Sequence, residues 1–114
     1  MNESDAQLEA VELSIENAKR NITRMDTLQK LTNNKEFNTI VVEGYFKDEA
    51  SRLVLLKADP SLQGDVEQKS IKNQINAIGY VRQYFNTVMQ IGIMSSKAIN
   101  DDEETRESIL AGEK

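Results

Sequence analysis

The chain contains no cysteine and no histidine. Histidine is the usual general base and a common metal ligand, and cysteine the usual thiolate nucleophile and soft-metal ligand. Their absence excludes zinc fingers, Ser-His and Cys-His machinery and disulfide frameworks, and it suits a reducing compartment. There is also no tryptophan, one proline and five glycines in 114 residues, a composition of an ordered chain rather than a low-complexity one. Long apolar runs are missing too, since the longest are Ile40–Val42 and Leu53–Leu56, far short of a bilayer span. The polar stretch from Met1 to Gln7 lacks the apolar centre of a secretory signal. The expectation is therefore a chain that is neither exported by that route nor embedded in a membrane.

What is present is charge, unevenly placed, and helical periodicity. The formal charge is −5, with +2 over residues 61–99 and −4 over residues 100–114. Leu8, Val11, Ile15, Ala18, Ile22 and Met25 alternate spacings of three and four, the seam of a helix packing lengthwise on a partner. Ser4 and Gln7 have the spacing of a capping box. Glu9, Glu12 and Glu16 lie early and Lys19, Arg20, Arg24 and Lys30 late, which complements the helix dipole. A first helix is expected from Asp5 to Leu31, about 40 Å long at the standard rise.

Thr32, Asn33 and Asn34 interrupt the pattern, and Asn33 with Glu36 is the expected restart. From Phe37 to Leu56 a wider apolar face runs through Ile40, Val41, Gly44, Tyr45, Asp48, Arg52 and Leu53. Val42, Phe46 and Leu55 lie off it, so this second helix is expected to be apolar on more than one side and the most buried element. Asp59-Pro60-Ser61 ends it, and Gly64, Asp65 and Gln68 provide a turn and a new cap. Ile71, Ile75, Ile78, Phe85, Val88 and Ile99 mark the seam of a third helix from Val66 to Ile99, widened by Val81, Tyr84 and Ile91. Gly44, Gly79 and Gly92 inside these helices each cost about 1 kcal/mol against alanine, and close helix crossing is the useful reason to keep them.

The reading is an elongated all-α protein of three helices, with an antiparallel hairpin across Pro60 and a coiled-coil-like N-terminal helix. Residues 1–99 form one domain and 100–114 an acidic extension, read as a short helix around Glu103 to Leu110 or a mobile tail, either solvated or docked through Ile109 and Leu110. Helices this long in so small a chain predict a homo-oligomer, with Leu8, Val11, Ile15, Ala18, Ile22 and Met25 as the pairing interface.

Candidate chemistry is sparse. Glu43, Asp48 and Glu49 beside Lys47 and Arg52 form the densest charged cluster, but the spacing of Asp48 and Arg52, with Glu49 three residues before Arg52, reads as a surface ion-pair face. No glycine-rich phosphate loop is present, so no enzyme, metal or cofactor is expected. Tyr80, Arg82 and Tyr84, with Lys69 and Lys72 upstream, are a candidate nucleic-acid contact. The low local charge favours core packing there instead.

Asn33–Phe37, Val42–Leu53, Ala58-Asp59-Pro60 and Ile78–Phe85 together resemble a group of short helical proteins of tailed bacteriophages with an EGYFKDEA-RL, DP and RQYF series. The likeness covers roughly residues 30–90. It implies a non-enzymatic component of particle building or genome packaging, working with other phage proteins in the host cytoplasm or the virion. An acidic effector that blocks a host enzyme and a nucleic-acid-binding packaging component are the competing readings.

Overall fold

The computed structural model describes residues 2–112 and is all-α, with no strand among the described residues. Helix α1 spans Glu3–Thr32. Helix α2 covers residues 35–57 and has three parts: an α-turn at Lys35–Phe37, a π-helical stretch at Asn38–Glu49 and an α-helix at Ala50–Lys57. A short 3-10 turn at Pro60–Leu62 leads into α3, Asp65–Leu110.

The caps differ from those expected by one or two residues. Asn2 rather than Ser4 starts α1, its Oδ1 accepting from the Asp5 N–H at 2.8 Å. At the break, Asn34 rather than Asn33 is the N-cap, with extended backbone and an Oδ1 that accepts from the Phe37 N–H at 2.8 Å. The Asn38 amide donates to the Thr32 carbonyl at 2.6 Å, which satisfies one of the four carbonyls that a helix end leaves open.

The chain forms two compact units, one of residues Gln29–Asn86 and one of the flanking stretches up to Leu28 and from Thr87. In the first, α2 and the early part of α3 make the expected hairpin. Leu53, Ile71 and Ile78 are its buried core, and Tyr45, Phe46, Ala50, Leu56, Leu62 and Ile75 pack against them. Burying a side chain such as Leu53, 1% exposed, contributes about 1.5–3 kcal/mol. Phe37 and Phe46 both meet Phe85, at ring separations of 6.1 and 5.6 Å, close to the preferred aromatic spacing. Gln63 and Gln68 hold the turn: each side-chain amide donates to the Lys57 carbonyl at 3.0 Å. Gln68 thus reaches back to α2 and to the Leu62 carbonyl, not to a cap at Asp65.

The π-helical stretch changes which side of α2 faces inward. Half-buried positions recur about every fourth residue, at Phe37, Val41, Tyr45 and Glu49, and at Asn38, Val42, Phe46 and Ala50. A turn closed by i→i+5 bonds is wider than an α-turn and keeps such a series on one side. Val42 and Phe46 therefore turn inward, while Ile40, Asp48 and Arg52, expected on the buried face, are exposed. Only Leu53 of α2 is fully buried, and the π-helical stretch contributes half-buried positions instead.

In the second unit α1 packs on the late part of α3. Ser14 Oγ donates to Asp102 Oδ2 at 2.6 Å, and the Asn21 amide donates to Ser95 Oγ at 3.1 Å. Seven residues up α1 correspond to seven residues down α3, so the two stretches run antiparallel with one heptad per step. The inward positions of α3 are Val88, Gly92, Ser95, Ile99, Asp102, Arg106 and Ile109, the same alternation of four and three. Val88, Gly92 and Ser95 are buried and the others half-buried.

The helix continues through Ile99 without a break and ends at Leu110. The acidic stretch as far as Leu110 is therefore a continuation of α3 packed on α1, neither a separate short helix nor a tail beginning at Asn100. Gly112, at φ 75°, stands in the left-handed region after the last turn, where glycine carries no steric penalty. Glu113 and Lys114, also assigned to the acidic extension, lie outside the described residues.

Candidate interaction surface

The seam expected to pair subunits is closed within the chain. Ile15 and Ala18 are 3% and 6% exposed, and Leu8, Val11, Ile22 and Met25 are half-buried. An added methyl at Gly92 would overlap the Met25 side chain, with Sδ at 2.6 Å and Cγ at 2.8 Å. The periodicity was legible, but whether the covering helix lay in the same chain was not. The signal lay in α3, where Gly92 and Ser95 complete a heptad series that an apolar scan skips.

The aromatic-basic group divides. Tyr80 and Tyr84 project from α3, 69% and 57% exposed, one helical turn apart on one side. Arg82 turns elsewhere and stands over the Phe46 ring at 5.9 Å from its centroid, a cation–π position. Val81 and Ile91, expected to widen the buried seam, are exposed with Tyr84. Phe85 packs inward as anticipated.

The charged cluster on α2 resolves into ion pairs of near neighbours. Arg52 takes Glu49, with Nε at 3.1 and 3.0 Å from the two carboxylate oxygens and a further contact through its terminal nitrogen. Of the two carboxylates expected beside it, Arg52 thus pairs with Glu49, three residues away, and not with Asp48. Lys47 meets Glu43 at 3.5 Å on the surface. The hydrogen bond from Arg52, with its positive charge, holds the Glu49 carboxyl below the ordinary range. At the turn, Asp59 Oδ1 accepts from the Ser61 N–H at 2.9 Å and the Ser61 hydroxyl at 2.8 Å, which lowers its pKa in the same way. Among the described residues, no three acidic side chains come together in a group that could hold a metal ion, and no helix is long and apolar enough to cross a membrane.

The apolar groups left in solvent are concentrated on α2 and α3. In the hairpin unit, Ile40, Val54, Leu55, Val66, Tyr80 and Tyr84 are each more than half exposed. Val66, Lys69, Ser70, Asn73, Gln74 and Ala77 line a shallow depression on α3, immediately before the two tyrosines. Large apolar side chains exposed close together are suited to protein contact. Comparison with protein-family models, curated proteins and solved structures finds no match.

Proposed function

We propose that this chain is a non-enzymatic assembly or adaptor protein of a bacteriophage, acting through helix–helix contact with other proteins. The observation that carries the contact role is the exposed row on α3 that includes Val66, Tyr80 and Tyr84. A hydrophilic chain with 29% charged residues leaves such aromatic groups in water at a cost, and a partner surface removes that cost. The phage assignment rests on the resemblance across residues 30–90. That window nearly coincides with the compact unit Gln29–Asn86, which is consistent with the hairpin being the shared working module.

Mass spectrometry of purified particles of the parent phage tests this reading. The chain is expected in the particles or in their isolated assembly intermediates, in fixed ratio to a structural protein. Recovery of one host enzyme on the tagged chain from uninfected lysate, with none of the chain in particles or intermediates, would replace it with the effector reading.

A further inference from the structure

The unit built from α1 and the late part of α3 carries its charge in an order that works against its own closure. From Glu3 to Glu16, α1 has five acidic residues and no basic one, and from Asp101 to Glu107, α3 has five acidic residues and one arginine. The register fixed by Ser14 with Asp102 and Asn21 with Ser95 lays these stretches side by side, with Glu12 level with Glu104 and Glu9 level with Glu107. Among the described residues no ion pair joins the two helices. Arg106, half-buried on the inward side of α3, is the base within the two stretches. Lys19, Arg20 and Lys97 lie beyond their inner ends.

Packing weakens at the same end. Ile15, Ala18, Val88, Gly92 and Ser95 are buried, but no residue from Asn2 to Ser14 or from Ser96 to Gly112 is. Beyond Ile99 the apolar contact is left to Leu8, Val11 and Ile109, all half-buried, and the polar tie to the Ser14 bond with Asp102. A cleft of about 1040 Å³ opens there, lined by Glu3, Gln7, Val11, Thr105, Ser108 and Ile109 among others. Local opening is cheapest where few apolar contacts hold a segment.

The surrounding salt decides how strongly the carboxylates push. Axes of packed helices lie about 8–10 Å apart, and the Debye length falls from about 30 Å at 0.01 M salt to about 3 Å at 1 M. The two acidic stretches therefore repel across the cleft in dilute salt and scarcely at all in concentrated salt. Like charges about 10 Å apart in water shift an opening equilibrium about twofold, and the set as a whole shifts it about tenfold.

We infer that the end of this unit where α1 begins and α3 finishes is a clasp set by ionic strength. It closes when its carboxylates are screened and opens in dilute salt to free Leu8, Val11 and Ile109. Such a clasp stands apart from the assembly role, and neither depends on the other.

Amide hydrogen exchange of the full chain, read residue by residue at one pH in about 0.01 M and about 1 M potassium chloride, tests the clasp. Amides from Leu8 to Ser14 are expected to exchange about tenfold more slowly in the higher salt, while those around Leu53 and Ile71, in the core of the other unit, keep their rates. Simple fraying of α1 has the opposite sign. Glu3 and Asp5 suit the positive end of the helix dipole, so screening them loosens the first turn.

Repulsion within α1 is separated from repulsion across the cleft by changing α3 and reading α1. Glu104→Gln with Glu107→Gln is expected to slow exchange from Leu8 to Ser14 by about threefold in dilute salt. Because the chain has no cysteine, nitroxide labels on Gln7→Cys and Thr105→Cys, both on the walls of the cleft, report its width. Their separation is expected to be short and narrowly distributed in the higher salt, and longer and broader in the lower. Exchange from Leu8 to Ser14 that ignores salt or quickens with it, indifference of α1 to the α3 variant, or a label separation that salt does not move would each overturn the inference.

Discussion

Replacing Gly92 by alanine would set a methyl against Met25, whose Cβ is fixed to α1 and cannot swing aside. Overpacking of this kind costs about 1–3 kcal/mol, more than the helix-propensity gain of about 1 kcal/mol, so Gly92→Ala is expected to lower the thermal midpoint. Gly79 has nothing within 4 Å of a would-be Cβ. Gly79→Ala should accordingly stabilise by about 1 kcal/mol, and thermal denaturation of the two variants checks the opposite signs. Gly44 is a third case: an added Cβ would stand 2.9 Å from the Thr39 carbonyl oxygen, five residues back, the approach that the π-helical turn brings about. Helix crossing accounts for one glycine of the three, and only the surroundings of each in the fold separate them.

Titration also belongs to single residues. Hydrogen bonds from the Ser61 backbone and hydroxyl hold Asp59 below the ordinary carboxylate range, and Arg52 does so for Glu49. A carboxyl whose pKa is lower in the folded chain contributes stability that is complete above its unfolded value and is lost as pH falls through the folded one. The contribution of these two groups should therefore decline only below about pH 4. Carbon-detected NMR titration is expected to show both midpoints low, with Arg52→Gln moving Glu49 back up and leaving Asp59 unchanged.

At the scale of elements, the hydrogen-bonded pair of half-buried Asn21 and buried Ser95 ties α1 to α3. Ser95 is 8% exposed at an inward position and takes its hydrogen bond from Asn21. Asn21→Ala leaves that hydroxyl without its partner, a loss of about 1–3 kcal/mol by chemical denaturation. Adding Ser95→Ala should recover part of it, since two apolar groups leave nothing unsatisfied. In the hairpin, Leu53→Ala opens the core shared with Ile71 and Ile78 and should cost about 2–5 kcal/mol.

Helix number, the hairpin, the inward side of α1 and the Ile71–Ile78 core of α3 were legible, because apolar spacing reports burial directly. The α2 face was not, since a 3.6-residue rule applied across Asn38–Glu49 puts Asp48 and Arg52 inside and Val42 and Phe46 outside. Tyr84 was read inward for another reason: it shares the three- and seven-residue spacing with Val81 and Ile91, yet all three are exposed. The α1 seam carried the opposite error: its spacing was read as an invitation to a second subunit when Gly92, Ser95 and Ile99 were available to cover it.

At the scale of the whole molecule, charge is segregated along α3. No acidic residue occurs between Glu67 and Asp101, and the residues from Asp101 to Glu107 then carry five acidic groups and one arginine. In isolation such a stretch repels itself and adds little to a helix. Here it is drawn into the fold by Ile109, half-buried, and by the Ser14 bond to Asp102. Truncation after Ile99 distinguishes a packed helix from a solvated appendage. Loss of an appendage would leave the midpoint of unfolding unchanged and remove only its own helical signal. Loss of the packed helix exposes Leu8 and Val11 on α1, so the midpoint should fall and amide exchange should quicken over the first turns of α1. The amides around Leu53 and Ile71, whose core lies in the other unit, should be the less affected. Hydrogen exchange read residue by residue on the truncated and full chains gives the comparison, and unchanged protection from Leu8 to Ile15 would return the acidic stretch to solvent.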